Sequence, residues 1–242
     1  MYFKKIKEAE GMKQDNIHIQ KKLQFISESY KNVRSNFLFS LAGKQTDAPK
    51  KIIMVTSSEQ GDGKTTTCLN LATALADSGA KVLIIDADLR CPRMERYITS
   101  ERKHKGLSDV LAGLSKMEDV IVRPDDANFD CLYSGSMPPN PSELLMQDSI
   151  GDLFEELSKK YDYIFVDTPP VGVVSETLYL TKFMAGVIVV VKKRKTYLKN
   201  IKETIKALNF AKATILGFVL NGSKDSSSKH YYYSKDSYYY YQ

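Results

Sequence analysis

Strand-length apolar runs, each followed by a helical stretch, constrain this chain more than any other feature. The runs lie at 52–56, 81–86, 129–133, 163–167, 185–191 and 214–220. Apolar residues at helical spacing fill the intervals at 64–77, 107–114, 141–160, 176–182 and 198–211. Runs this continuously apolar belong to strands buried on both faces. A parallel sheet with crossover helices provides that burial, so the expectation is a doubly wound α/β fold. Ahead of it, Leu23, Ile26, Tyr30, Val33, Phe37 and Leu41 recur at spacings of three and four, which predicts a helix over 18–41. Three regions follow: an N-terminal segment and helix over 1–45, an α/β body over 46–223, and a tail over 224–242.

The first strand runs into Ser57-Ser58-Glu59-Gln60-Gly61-Asp62-Gly63-Lys64-Thr65-Thr66-Thr67. This fits the phosphate-loop pattern G-x-x-x-x-G-K-[ST], except that Ser58 stands where the first glycine belongs. Glycines let backbone amides turn inward around phosphate oxygens, and the helix that follows points its positive end at the same anion. The pattern predicts a nucleotide phosphate held by Gln60, Gly61, Asp62, Gly63, Lys64, Thr65 and Thr66. Lys64 reaches the outer phosphates, and the Thr65 hydroxyl is positioned to ligate Mg²⁺. Two more strands end in acids, at Asp86-Ala87-Asp88-Leu89-Arg90 and at Asp167-Thr168-Pro169-Pro170. Open α/β sheets bind ligands at the carboxyl ends of their strands, so three such ends predict one shared site. Mg²⁺ keeps several waters, and one hydroxyl with nearby carboxylates suffices to hold it.

The net charge of +6 is compatible with an anionic partner and does not identify one. Cys68, Cys91 and Cys131 are widely spaced, which excludes a disulfide framework and a zinc site; Cys68 and Cys131 read as core residues. No apolar run is long enough to span a bilayer, and the N-terminus lacks the apolar stretch of a secretory signal. After Gly222 the composition changes abruptly. Tyr231, Tyr232, Tyr233, Tyr238, Tyr239, Tyr240 and Tyr241 crowd a segment with no interleaved aliphatic residue, which predicts a flexible tail without a core.

These motifs together resemble the bacterial tyrosine kinases of capsule and exopolysaccharide synthesis, in the form where the kinase is a separate cytosolic chain. The resemblance rests on the phosphate loop, the D-x-D-x-R segment 86–90, the apolar-D-T-P-P segment 166–170 and the tyrosine cluster. Segments 106–111 (GLSDVL) and 135–145 (GSMPPNPSELL) are also similar. It implies ATP and Mg²⁺ as cofactors and tyrosine phosphorylation as the activity. Lys64 binds phosphate; Thr65, Asp86 and Asp167 organise Mg²⁺; Asp88 accepts or orients the tyrosine proton; Arg90 steadies phosphates or the site. The seven tail tyrosines become the phosphate acceptors, reached between molecules, and Asn221 matches the position that contacts adenine in related P-loop ATPases.

The resemblance further implies a membrane adaptor of the polysaccharide chain-length control type as activator, a cognate tyrosine phosphatase, and a peripheral place at the inner face of the membrane. Nucleic acid is not expected. Glu28, Lys31 and Arg34 resemble the E-x-x-R-x-x-R motif of ring assembly, with lysine in place of the first arginine, which keeps the charge and loses the bidentate fork. Two alternatives stay open: a positioning or partitioning ATPase, although 57–60 offers no early lysine, and a non-catalytic nucleotide-binding regulator.

Overall fold

The computed structural model describes residues 16–42, 52–98, 105–125, 127–172 and 174–222. The tyrosine cluster lies outside the described residues. A long helix, α1 (Asn16–Ala42), precedes β1 (Ile52–Ser57), α2 (Lys64–Ala76), β2 (Val82–Asp86), α3 (Met94–Ile98) and α4 (Leu107–Leu111). Then come β3 (Ile121–Val122), β4 (Asp130–Leu132), α5 (Pro141–Leu145), α6 (Ser149–Lys160) and β5 (Tyr163–Asp167). The chain continues through α7 (Ser175–Leu180), β6 (Gly186–Lys192), α8 (Leu198–Phe210) and β7 (Ile215–Asn221). No helix among the described residues is long and apolar enough to cross a membrane.

The strands form one sheet in the order β3-β4-β2-β5-β1-β6-β7. All pairs are parallel except the short antiparallel β3–β4 pair at one edge. Every residue of β1 and β2 is buried, as the continuous apolar runs require. Two apolar layers cover the two faces. One gathers residues of α1, α2 and α3, including Phe37, Leu71, Leu75 and Met94. The other gathers residues of α4 to α8, including Leu107, Leu145, Phe154, Leu180 and Leu208. The expected doubly wound architecture is therefore present. β1 leads into α2 on one face, whereas the adjacent β5 leads into α7 on the other. A crevice opens between carboxyl ends that diverge in this way.

The sequence expectation differs from the structure in one long element. The helix expected over 141–160 is two helices, α5 and α6, broken after Leu145. The apolar stripe explains the break. Leu144 and Leu145 are buried, and the next buried residues are Ile150, Leu153, Phe154 and Leu157. A continuous helix would turn Asp148 and Ser149 toward the core, a place for neither. The short α3 and β3 were not expected from periodicity, because two to five residues carry too little pattern.

α1 docks on the same core rather than standing apart. Phe37 is buried against Tyr163 and Phe165, at ring-centroid distances of 5.8 and 5.7 Å. Arg34 donates to the Ala74 carbonyl at 2.6 Å, adding a cation at the C-terminal end of α2, where the helix dipole favours one. Phe37→Ala should destabilise the protein by about 3 kcal/mol, read by urea unfolding, because it leaves a cavity beneath α1.

Candidate nucleotide and phosphotransfer site

The phosphate loop is shaped by two glycines. Gly61 and Gly63 sit at φ 81° and 101°, in the left-handed region that glycine adopts without cost, on either side of Asp62. Alternation of this kind turns successive amides to one side and makes an anion-binding nest. Gly63 is also the N-cap of α2, so the nest opens on the positive end of that helix. A side chain at Gly63 would overlap the Asn221 amide as well as strain the backbone. Ser58, the departure from the expected glycine, does not have a positive φ. Its hydroxyl instead accepts a buried hydrogen bond from Thr204 Oγ1 at 3.0 Å. That contact explains why serine serves where the pattern asks for glycine.

A cleft of about 220 Å³ lies over the loop. Among the expected residues, Gln60, Gly61, Gly63, Lys64, Thr65, Thr66, Asp88, Asp167 and Asn221 line it. Cys91, Arg93, Tyr97 and Lys192 complete the lining and were not foreseen. Thr65 Oγ1 donates to Asp167 Oδ2 at 2.5 Å. Asp86 pairs in register with Asp167 across β2 and β5. Its two carboxylate oxygens accept the amides of Asp88 at 3.1 Å and Met94 at 3.3 Å. Asp88 sits above, its Oδ1 accepting the Cys91 amide at 3.0 Å.

The two deep carboxylates carry the electrostatics of the site. Asp167 is 2% exposed, and its Oδ1 has no hydrogen-bond partner among the described residues. Burial pushes its pKa up to about 7 against the opposing pull of the Thr65 hydroxyl and the Lys64 ammonium. Burial and the neighbouring Asp167 push Asp86 well above the ordinary carboxylate range. An orphaned buried oxygen beside a threonine hydroxyl, backed by a second acid, is a donor set suited to a hard divalent cation. The residues present fit Mg²⁺.

Three expected residues stand elsewhere or act differently. Arg90 does not line the cleft. Its Nε donates to Glu176 Oε1 at 3.0 Å and its Nη2 to Ser142 Oγ at 2.7 Å. Ser142 in turn donates to Glu176 Oε2 at 2.9 Å. Glu176 is 1% exposed and needs a cation, so Arg90 is held by it and binds the loop after β2 to α5 and α7. Arg90, expected to steady phosphates or the site, has its guanidinium engaged by Glu176 and Ser142. Asp62 is buried within the loop, and its Oδ2 accepts the Glu59 amide at 3.1 Å. Asn221 donates its side-chain amide to the Asp62 carbonyl at 2.9 Å, so it holds the loop. Of the assembly motif, Glu28 and Lys31 pair with each other on the surface at 2.6 Å, while Arg34 serves the α1–α2 contact within the chain.

Segments 106–111 and 135–145 are tied to each other outside the cleft lining. Asp109 Oδ2 accepts the amides of Gly106 at 2.9 Å and Ser136 at 3.1 Å. Desolvation by burial raises the Asp109 carboxyl, but these bonds with Gly106 and Ser136 together outweigh it and hold the group below its usual range. They fix the loop that delivers Ser142 to Arg90.

The AAA domain family model matches residues 50–216. The tyrosine-protein kinase YwqD of Bacillus subtilis (strain 168) is 36% identical over 82% of this chain and 81% of its own length. The tyrosine-protein kinase CpsD of Streptococcus pneumoniae serotype 4 is 35% identical over 84% of this chain and 88% of its own length. The kinase domain of the Escherichia coli tyrosine kinase ETK superposes with a TM-score of 0.77 at 33% identity, covering 86% of this chain and 79% of that one. A nucleotide-binding phosphate loop within this domain and relatives matched along most of their length establish that the chain belongs to the bacterial tyrosine-protein kinases.

Proposed function

We propose that the chain transfers the γ-phosphoryl group of ATP to tyrosines of its own C-terminal cluster, Tyr231 to Tyr233 and Tyr238 to Tyr241, from one molecule to another. The observation that carries the reading is the conjunction of the nest, Lys64 and the Thr65–Asp167 contact with Asp88 in a single cleft. The nest amides and Lys64 hold the phosphates and meet the charge that spreads over the equatorial oxygens. Thr65 and Asp167, with Asp86 behind, would hold Mg²⁺, which when bound neutralises phosphate charge. Asp88, at the mouth, accepts the proton of the tyrosine hydroxyl as its oxygen bonds the γ-phosphorus. The bond from that phosphorus to the β–γ bridging oxygen breaks, and ADP leaves with the electron pair. Positioning supplies most of the rate.

The tail starts just past Asn221, which lines the cleft. Twenty residues extended at about 3.3 Å each span roughly 65 Å, enough to reach a neighbour's cleft. Local concentration in an assembly then replaces tight recognition of sequence. Each phosphate adds roughly −1.5 to −2 charges, so a multiply phosphorylated tail repels its neighbours and loosens the assembly. The exposed Glu28 and Lys31 suit contact with a neighbour in such a ring. The setting that fits is a cytosolic subunit regulating polysaccharide synthesis and export, activated by a membrane adaptor and reset by a tyrosine phosphatase.

A mixing experiment tests transfer between molecules. Active chain truncated to 1–223 is incubated with full-length Lys64→Met, ATP and Mg²⁺, together with the adaptor's cytosolic segment. Phosphotyrosine should accumulate on the inactive partner's tail, at a rate that rises with protein concentration. An unlabelled partner beside a self-labelling wild-type chain would contradict transfer between molecules.

A further inference from the structure

The outward-facing carbonyls of the phosphate loop are held one by one from distant parts of the chain. Lys195 Nζ donates to the Gln60 carbonyl, Lys192 Nζ to the Gly61 carbonyl at 3.4 Å, and Asn221 to the Asp62 carbonyl at 2.9 Å. In a trans peptide the carbonyl and the next amide point in opposite directions. Holding these carbonyls therefore aims the amides of Gly61, Asp62 and Gly63 the other way, into the nest.

The two lysines come from a closed turn between β6 and α8. Within it the Lys192 amide donates to Thr196 Oγ1 at 2.9 Å, and the Lys195 and Thr196 amides donate to the Lys192 carbonyl at 3.2 and 3.0 Å. Arg194 takes a left-handed φ of 61° to close it. Lys195 answers a second need. Asp62 is fully buried in a loop that receives an anion, and its Oδ1 has no hydrogen-bond partner among the described residues. Lys195 Nζ stands 3.6 Å from that oxygen, too far for a hydrogen bond and close enough to offset the charge.

We propose that Lys195, supported by Lys192, is a positioning residue for nucleotide binding: it fixes the amide nest through the loop carbonyls and neutralises Asp62, so that the loop presents donors without a competing negative charge. The inference rests on reading this loop as the ATP site. It assigns Lys192 and Lys195 a task in the site.

The test is a double-mutant cycle on the full-length chain, read by titration with a fluorescent ATP analogue and by the KM for ATP. Lys195→Met should weaken the analogue about 10-fold and raise KM by the same factor, with kcat within about 2-fold, because Lys195 does not touch the transferred group. Lys195→Arg should restore most of the affinity. Asp62→Asn/Lys195→Met should bind within about 3-fold of the parent, since the charge that Lys195 offsets is then gone. Affinity unchanged in Lys195→Met overturns the proposal. So does equal loss of kcat and KM effect together with a fallen nucleotide-free melting temperature, which marks a general folding role. A double variant as weak as Lys195→Met overturns the Asp62 half. If Lys195→Met does not fold, Lys195→Gln carries the same comparison. A parent chain that binds no analogue refutes the ATP site itself, whereas a parent that binds while Lys195→Met binds equally refutes this inference alone.

Discussion

Lys64→Met should lower phosphotyrosine formation by about 10³-fold while the protein keeps its fold and its nucleotide-free melting temperature. Lys64 is the first residue of α2 and is nearly buried in the floor of the cleft. Methionine keeps the apolar stem and removes only the charge. Loss of one donor aimed at charge that develops in the transition state costs about 10² to 10³ in rate. A second effect adds to it. The Lys64 ammonium pulls the Asp167 pKa down, and without it Asp167 is held more firmly in its protonated form, a poorer metal ligand. Anti-phosphotyrosine blotting with calibrated dilution, beside a thermal melt, measures both halves of the prediction.

The other large effect runs opposite for stability and activity. In chelator-treated protein, Asp167→Asn should raise stability at pH 8 by about 2–4 kcal/mol while abolishing transfer. The sign follows from the raised carboxyl. Asp167 titrates at about 7 when folded, against about 3.9 in an unfolded chain. Its contribution is fully present below the unfolded value. As the pH climbs toward 7, the unfolded chain releases a proton that the folded chain keeps, and stability falls by about 1.4 kcal/mol per pH unit. Above 7 the loss is complete, and a buried carboxylate remains. Asp86 is raised for the same reason and adds in the same direction. Asparagine carries no charge to bury and still accepts the Thr65 hydroxyl. Urea unfolding of the metal-free protein from pH 5 to 8 should therefore show a falling curve for the parent and a flatter one for the variant. Added Mg²⁺ should stabilise the parent at pH 8 and leave the variant unchanged, because its binding requires the ionised carboxylate.

What could be read from sequence was what is local. β1, the two glycines, Lys64 and Thr65 lie within fourteen residues, and their spacing alone dictates strand, nest and helix. Asp86 and Asp167 were legible because each closes a run of buried residues, which places both at one edge of a parallel sheet. Residues whose roles depend on remote partners were not legible. For Arg90, expected to steady phosphates or the site, the partner is the buried carboxylate of Glu176, 86 positions away. Asn221 and the two lysines hold loop carbonyls more than 130 positions away, and no local pattern announces such contacts.

One misreading had a signal that could have been used. The break between α5 and α6 is written in the five-residue gap from Leu145 to Ile150, where a helix wants three or four. Ser58 fills a glycine position because that position does not need a left-handed backbone, and a buried hydroxyl partner, Thr204, awaits it. Arg34 illustrates a different limit. Its motif suggests contact between subunits, yet in the single chain its guanidinium is already engaged by the end of α2.

Where the phosphate goes separates a tyrosine kinase from an ATPase. Full-length chain and chain truncated to 1–223 are incubated with ATP, Mg²⁺ and the adaptor's cytosolic segment, and phosphate is followed to tyrosine by mass spectrometry and to water by a free-phosphate assay. Phosphotyrosine should appear on peptides containing Tyr231 to Tyr241 in the full-length chain and not in the truncated one. Nucleotide turnover that releases phosphate to water and leaves those peptides unmodified would contradict transfer to these tyrosines.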